Sequence, residues 1–161
     1  RSPTPLLQSL ASELASARGD LRRIVSGLTP SALQDTDLEV ALAKLVKSFD
    51  TADCQVVLET RLSPGLAPDV AVAVYRSVAE GVANALRHGR AEHVTVRVAA
   101  PDDGTIHVDV QDDGAGGPIV PGVGLTSLQR RAENLGGRLS IGSNQPTGVH
   151  LHLELPTGAV A

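Results

Sequence analysis

The sequence predicts an α+β fold, a two-layer α/β sandwich in which helices cover one face of a mixed sheet, preceded by one long α-helix. Strand-like segments with alternating apolar residues are interspersed with helix-like segments, and the last two strands follow each other as in a hairpin. Apolar residues make up 42% of the 161 positions, but Trp and Met are absent and Phe and Tyr occur once each. The core must therefore be aliphatic.

The composition argues against several classes of protein. The net charge of −4 and the scarcity of aromatic residues give no support to nucleic-acid binding. No apolar stretch is long enough to span a bilayer and the first residues do not resemble a signal peptide, so no membrane contact is expected. The single cysteine, Cys54, excludes an internal disulfide and is interpreted as a packed small hydrophobic residue. A cytoplasmic location is expected.

The first predicted element is an amphipathic helix over residues 6–28. Its apolar residues, from Leu6 to Leu28, recur at steps of three or four. This stripe resembles a coiled-coil seam, and pairing with another helix or packing on its own domain is equally compatible with the periodicity. Pro30 interrupts the pattern, so we divide the chain into residues 1–36 and 37–161.

The other elements follow in order. Asp37 is a potential N-cap for a helix over residues 38–49, and Asp69 is expected to begin a long helix that ends at residue 88. Gly136 and Gly137 end a helix over residues 125–135. Strands are predicted over residues 54–62, 93–100, 105–111, 138–143 and 148–156, with a hairpin turn at residues 101–104 and a glycine-rich segment at residues 112–124.

The long helix carries polar residues at a spacing that suggests binding. Glu80, Asn84 and His88 lie at i, i+4 and i+8, with Arg87 one step aside. Carboxylate and amide oxygens can hold Mg²⁺ while a guanidinium meets phosphate oxygens. A solvated helix face with one Glu–Arg pair is the alternative, and the helix alone favours it.

The glycine-rich segment points to a nucleotide. Asp112 ends an alternating strand, and a fixed carboxylate there can accept a hydrogen bond from the amino group of adenine. Gly114 and Gly116 allow close approach of a flat ligand, and Gly122 and Gly124 precede a helix whose free amides can bind phosphate. A flexible surface loop is the alternative. Neither the P-loop nor the Rossmann glycine pattern is present.

Taken in order, these segments resemble the Bergerat-fold ATP-binding domain shared by gyrase, MutL, the ninety-kilodalton heat-shock chaperone and sensor histidine kinases. "EGVANALRH" resembles the N box, "DDGAG" and "GVGL" the two glycine boxes, and "TGVHLHLELP" the final strand, so the resemblance covers residues 38–156. It implies ATP and Mg²⁺ as ligands. It places Mg²⁺ on Asn84, with Glu80 in the metal shell or positioning water, and it places adenine on Asp112 rather than Asp113.

The same resemblance implies roles for the remaining site residues. They are Arg87 near the phosphates, His88 lining the pocket, Gly122, Val123, Gly124 and Leu125 at the lid hinge and the phosphate-facing helix start, and Thr147 near the base.

Within that superfamily, the chain is similar to sensor kinases with a short ATP lid, of the nitrate-sensor and desaturase-sensor type. "LRRIVSGLTPSALQDTDLEVAL" resembles their second dimerisation helix and its exit, and "GLTSLQRRAENLGGRLSI" resembles the segment after their lid. The resemblance implies a histidine protein kinase that acts as a homodimer through its dimerisation domain and passes phosphate to a response regulator receiver domain. The acceptor histidine is expected on a helix before residue 1.

Two other enzymes share these motifs, an ATP-hydrolysing clamp related to gyrase or MutL and an anti-sigma-factor serine kinase; a degenerate ATP-binding module is a further alternative. The helix over residues 6–28 counts against the first two, and the intact Asn84, Asp112 and glycine boxes count against the last. The histidines outside the long helix show no zinc-ligand spacing and are interpreted as strand residues, namely His93, His107, His150 and His152.

Overall fold

The computed structural model describes residues 10, 13, 14, 17, 30–101 and 103–158. Contacts divide the chain into two compact units, Arg1–Ser31 and Ala32–Ala161. In the first unit, the four described residues from Leu10 to Ala17 are helical, and the side chains of Leu10 and Leu14 are exposed. The rest of the predicted helix over residues 6–28, with its heptad-like seam, lies outside the described residues.

The second unit is built on a five-stranded mixed sheet in the order β1-β2-β3-β5-β4. The parallel pair is β1 with β2, and the other three pairs are antiparallel. Each predicted strand is present, within two residues of its expected bounds. The strands are β1 (Gln55–Arg61), β2 (His93–Ala99), β3 (Thr105–Asp112), β4 (Arg138–Ser143) and β5 (Val149–Pro156).

Three α-helices accompany the sheet: α1 (Leu38–Phe49), α2 (Pro68–Asn84) and α3 (Val123–Asn134). Asp37 is the residue before α1, but its side chain makes no capping hydrogen bond, so the predicted cap is positional only. α2 begins one residue before Asp69, because Pro68 has a backbone suited to the first turn and needs no amide partner there. A short 3₁₀ helix, Ser31–Leu33, precedes α1.

Two helices were predicted to end at residues 88 and 135, and only the second ends in the way that the sequence indicates. The last turn of the long helix is a π-helix, Ala85–Gly89, so the α-helical spacing used to predict its face stops at Asn84. α3 ends as expected: Gly136 has φ +75°, and the Gly137 N–H donates to the Ala132 carbonyl at 2.8 Å.

Helices cover one face of the sheet, as predicted. Alternate residues of β2, β3 and β5 are buried against α2 and α3, and each fully buried Val or Leu contributes about 1.5–3 kcal/mol. Cys54 is buried in this aliphatic core, which confirms its interpretation and raises the pKa of its thiol. The opposite face carries partly exposed polar residues. Among the described residues, no helix has the length and hydropathy needed to cross a bilayer.

Candidate functional site

Asp112 is a buried carboxylate at the end of β3, with only 5% of its surface exposed. Its Oδ1 accepts the Gly114 N–H at 2.9 Å and the Val149 N–H at 3.2 Å. No hydrogen bond within the described part of the chain uses Oδ2, and that oxygen is not closed off from solvent. The carboxylate is therefore fixed in place by one oxygen and offers the other to a donor.

The start of β5 holds Asp112 from the other side. The Asn144 side-chain amide donates to the Asp112 carbonyl at 2.8 Å. Gly148 has φ +102°, and a Cβ at this position would overlap the same carbonyl oxygen. Sequence reasoning identified the Thr-Gly pair at residues 147–148 but gave Gly148 no role, and it missed Asn144, because both residues support the backbone of Asp112 rather than a ligand.

Asp113, the next residue, is exposed and already occupied by protein donors. Its Oδ1 accepts the N–H groups of Glu92 and His93, each at 2.9 Å, and its Oδ2 lies 2.7 Å from His93 Nδ1. The backbone hydrogen bond from His93 is the largest reason that the pKa of Asp113 is lowered. The Thr147 hydroxyl donates to the Asp113 carbonyl at 3.2 Å. Thr147 thus lies beside the Asp112–Asp113 pair.

The π-helical turn brings the end of the long helix against the first glycine segment, residues 112–116; the second glycine segment is residues 122–125. The Ala115 N–H donates to the Gly89 carbonyl at 2.9 Å. A Cβ on Gly114 would lie 2.8 Å from the Gly89 Cα, and a Cβ on Gly116 would lie 3.3 Å from the Gly148 nitrogen. The close approach that both glycines permit here is to protein backbone, which fixes the loop beside Asp112. Their approach to a flat ligand stays a prediction.

Three of the four polar residues predicted on the long helix lie together. Arg87 Nη2 is 3.5 Å from Asn84 Oδ1 and 3.7 Å from Glu80 Oε1. The guanidinium therefore faces both oxygens that were predicted to hold Mg²⁺. His88 is exposed, and no hydrogen bond or ion pair among the described residues joins it to these three. Its role in binding stays a prediction.

Glu80 also joins α2 to the second glycine segment. A Cβ on Gly124 would collide with the Glu80 carboxylate, so this carboxylate lies against the first turn of α3. The amides of a helix's first turn have no intrahelical partners, and they carry the positive end of the helix dipole. Two features that the sequence indicated separately, the acid of the long helix and the start of the next helix, therefore meet in the structure.

The rest of the α3 start is open to solvent. Gly122 is the N-cap residue, and its carbonyl accepts both the N–H of Thr126 at 3.1 Å and the hydroxyl of Thr126 at 3.0 Å. Val123 is 59% exposed, whereas Leu125 is half-buried and packs against the core. This end of α3 therefore combines free first-turn amides with access from solvent.

Comparison with protein families explains why these elements occur in this order. The model for "Histidine kinase-, DNA gyrase B-, and HSP90-like ATPase" matches residues 69–159, more than half of the chain and all of the elements from α2 to β5. The chain belongs to this family. ATP binding is the property that the histidine kinase-, gyrase- and HSP90-like ATPase family implies for the matched residues.

Individual relatives in this ATPase family are sensor proteins. The chain is 37% identical over 90 residues to the sensor histidine kinase YxjM of Bacillus subtilis, which covers 55% of this chain and 22% of that protein. It is 33% identical over 146 residues to the methanol utilization control sensor protein MoxY of Paracoccus denitrificans, covering 81% of this chain and 32% of that protein. The chain thus spans less than a third of the length of these relatives.

A solved structure shows the same fold for the ATPase-family domain. The histidine kinase domain of the Erythrobacter litoralis EL346 blue-light activated histidine kinase superposes with a TM-score of 0.63. The match covers 74% of this chain and 59% of that chain at 21% sequence identity. This similarity confirms the α+β sandwich expected from the sequence.

Proposed function

We propose that this chain is the ATP-binding catalytic part of a two-component sensor histidine kinase. ATP would bind between α2, the π-helical turn and the two glycine segments, and its γ-phosphoryl group would pass to a histidine outside residues 1–161 and then to a response regulator receiver domain. The named relatives are sensor kinases or sensor proteins, and their similarity to this chain supports the assignment.

The observation that carries the proposal is the state of Asp112. A buried carboxylate is costly unless its oxygens find donors, and here two backbone amides satisfy Oδ1 while none of the residues that the structure describes donates to Oδ2. The amino group of adenine supplies a donor of the required kind. Asp113 does not suit this role, because protein donors already engage both of its oxygens.

The chemistry of the donors fits Mg²⁺ at the end of α2. The amide oxygen of Asn84 and the carboxylate of Glu80 are hard oxygen ligands, and both face the same cation, the Arg87 guanidinium. Asn84 would hold Mg²⁺ directly and Glu80 through water, and the ion would neutralise charge on the phosphates. Arg87 would then turn from these oxygens toward the phosphates.

The remaining site residues would act by position and charge. The first-turn amides of α3, at Gly122, Val123, Gly124 and Leu125, would donate to phosphate oxygens. As the bond from the γ-phosphorus to its bridging oxygen breaks and a bond to the imidazole nitrogen forms, fixed donors would stabilise the charge that moves onto ADP. Glu80 and Asn84 would be the catalytic residues on α2, with His88 and Thr147 lining the pocket.

Residues 1–36 would belong to the helical dimerisation region and its linker, and the complete protein would act as a homodimer in the cytoplasm. The apolar side chains exposed in the first unit, Leu10 and Leu14, are compatible with such pairing.

Phosphotransfer to a separate partner tests this function. The chain would be incubated with ATP labelled on the γ-phosphate, Mg²⁺ and a kinase-inactive partner that carries the acceptor histidine. We expect acid-labile, alkali-stable label on the partner, as phosphohistidine requires, and none when the acceptor histidine is replaced by Gln. Release of labelled phosphate without labelled partner would indicate a clamp ATPase instead, and acid-stable label would indicate a serine kinase.

Asn84→Ala tests the Mg²⁺ assignment. We expect the variant to lose most of the gain in ATP affinity that Mg²⁺ gives, because its amide oxygen would be a direct ligand. Isothermal titration with ATP, in Mg²⁺ and in EDTA, measures this gain. Asn134→Ala, an exposed asparagine at the far end of α3, is the matched control and should keep the full gain. An equal Mg²⁺ dependence in both variants would refute the assignment.

A further inference from the structure

The face of the sheet opposite α2 and α3 carries a group of titratable side chains that the proposed nucleotide site does not use. This open-face cluster lies on β3 and β5, and the strand register places Asp109 opposite His152 and His107 opposite Glu154. Its members are half-buried; they are His107, Asp109, His150, His152 and Glu154. Three imidazoles and two carboxylates therefore share one patch of an otherwise ordinary sheet surface.

The centre of the open-face cluster is a single carboxylate oxygen. Asp109 Oδ1 lies 2.7 Å from His150 Nε2 and 2.7 Å from His152 Nδ1. The candidate ligand atoms of these three residues all lie within 4.8 Å of one another. Two imidazole nitrogens and one carboxylate oxygen suit Zn²⁺, Co²⁺ or Ni²⁺, which bind such donors at about 2.0–2.2 Å. Donors that share one ion are about 3–3.5 Å apart, so only a small opening of this group is required.

We propose that Asp109, His150 and His152 form a binding site for a divalent transition-metal ion, with solvent completing its coordination. The proposal rests on the geometry of the open-face cluster and does not depend on the proposed kinase function.

The residue next to these ligands is suitable for orienting one of them. His152 Nε2, the ring nitrogen not used by Asp109, lies 3.1 Å from Glu154 Oε1. Metal-bound histidines generally donate their second ring N–H to a carboxylate or carbonyl, which fixes the tautomer and the plane of the ring. Glu154 is thus a positioning residue. Its carboxylate already contacts one ring nitrogen of His152, while the other ring nitrogen faces the proposed metal position.

The strands hold the three ligands on a rigid frame. β3 and β5 pair continuously from Thr105↔Pro156 to Gln111↔His150, and β3 is also paired with β2 on its other side. Ligands on adjacent paired strands keep their spacing better than ligands on loops, so little ordering is required when an ion binds. The ion would join two strands whose ends also hold Asp112.

A histidine–carboxylate pair elsewhere supplies a matched control. His93 Nδ1 lies 2.7 Å from Asp113 Oδ2, the same distance as in the open-face cluster. The His93–Asp113 pair belongs to none of the clusters of three ligand groups found among the described residues. A simple hydrogen-bonded pair should therefore bind metal far more weakly than the three-ligand group.

Metal titration of the tag-free chain, without nucleotide and in a non-chelating buffer, tests the proposal. We expect one equivalent of Zn²⁺ to bind by isothermal titration, and Co²⁺ to give the visible absorption of a site with nitrogen and oxygen ligands. His150→Gln should weaken Zn²⁺ binding by at least about tenfold, and Glu154→Gln by a smaller factor. His93→Gln should leave the affinity unchanged.

Folding of each variant would be checked by far-ultraviolet circular dichroism. Asp109→Asn provides a second ligand variant, so that loss of binding does not depend on one substitution. A rise in Tm with Zn²⁺ in the wild type, absent in His150→Gln, gives an independent readout. The proposal is refuted if the wild type binds no Zn²⁺ or Co²⁺, if folded His150→Gln and Asp109→Asn bind as the wild type does, or if only His93→Gln loses binding.

Discussion

The two faces of β3 place the same type of side chain in two different environments. Asp112 lies on the covered face, and uncharged backbone amides of Gly114 and Val149 hold one of its oxygens. Asp109, three residues earlier, lies on the open face, and two imidazoles contact one of its oxygens. Backbone amides do not titrate near neutral pH, whereas imidazoles do.

The difference shows how the two faces of one strand hold carboxylates with chemically different partners. Burial raises the pKa of Asp109, but hydrogen bonds from His150 and His152 outweigh it and the net pKa is lowered. Burial likewise lowers the pKa of His152, while hydrogen bonds to Glu154 and Asp109 raise it overall. The open face therefore holds a carboxylate, Asp109, whose charged form is favoured, beside an imidazole, His152, whose protonated form is favoured. The covered face holds a carboxylate whose donors are constant, which suits recognition of a neutral base.

The largest expected effect contrasts the packing of the two faces. Leu153 on β5 is 1% exposed, and Leu153→Ala should lower the free energy of unfolding by about 2–5 kcal/mol, because it removes buried methyl groups and leaves a cavity. Val57→Ala on the open face, where Val57 is 42% exposed, should cost less than about 1 kcal/mol. Urea denaturation measures both. Equal losses would show that the open face is also packed against something.

The next effect concerns Asp112 itself. Asp112→Asn should weaken ATP binding by roughly tenfold to a hundredfold, as expected for losing a hydrogen bond to a charged group worth about 1.5–3 kcal/mol. GTP binding should change less, because guanine carries a carbonyl where adenine carries its amino group. Asp103→Asn, in the turn before the same strand, is the matched control. Unchanged affinities for both nucleotides in isothermal titration would contradict the adenine assignment.

A backbone substitution tests whether the support of Asp112 matters. Gly148→Ala should destabilise the chain by roughly 1–3 kcal/mol, because φ is +102° and the new Cβ would overlap the Asp112 carbonyl. It should also weaken ATP binding, since Asp112 must shift. A Cβ at Gly142 in β4 would have no atom within 4 Å, so Gly142→Ala should change neither the stability nor the ATP affinity. Thermal melting and ATP titration distinguish the two. If Gly148→Ala has a lower Tm but binds ATP with wild-type affinity, the position of Asp112 does not depend on Gly148.

The smallest effect concerns the exposed neighbour, Asp113. Its pKa is lowered in the folded chain, so its contribution to stability is complete above the unfolded value of about 3.8 and is lost as the pH falls through the folded pKa. Asp113→Asn should remove this dependence and cost less than about 1 kcal/mol at neutral pH, because solvent screens an exposed pair. Denaturation measured from about pH 6 to pH 2 would show it. If Asp113→Asn lowered the free energy of unfolding more than Leu153→Ala does, the expectation that the buried face contributes most of the stability would be wrong.

Much of the fold was predictable because its signals are local. Alternating apolar residues predicted each strand to within two residues, and the glycine pair after α3 marked its end. The π-helical turn was not predictable in this way. Its residues, Ala85–Gly89, have no composition that distinguishes them from an α-helix, and the turn is seen only in the tertiary structure, where Gly89 packs against Gly114.

In the candidate site too, some residues could be predicted from local sequence motifs and others only from the tertiary structure. Motif order predicted Asp112, Asn84 and the glycine segments as site residues, because binding chemistry requires those residue types at those places. Asn144 and the role of Gly148 were not predicted, since both residues serve the backbone of Asp112 rather than a ligand. Strand-face positions for His107, His150 and His152 were correctly predicted, but their spacing in the sequence did not indicate the metal site that we propose from the strand register.

Periodicity, caps and motif order in the chain were thus sufficient for the class of fold and the family, and they predicted which carboxylate would read the base, because each depends on residues close together in sequence. Strand register and loop packing were required to show which oxygen of Asp112 stays available, and that Asp109 meets two histidines more than forty residues away. Register is a long-range property: a slip of one residue would send each of these side chains to the opposite face.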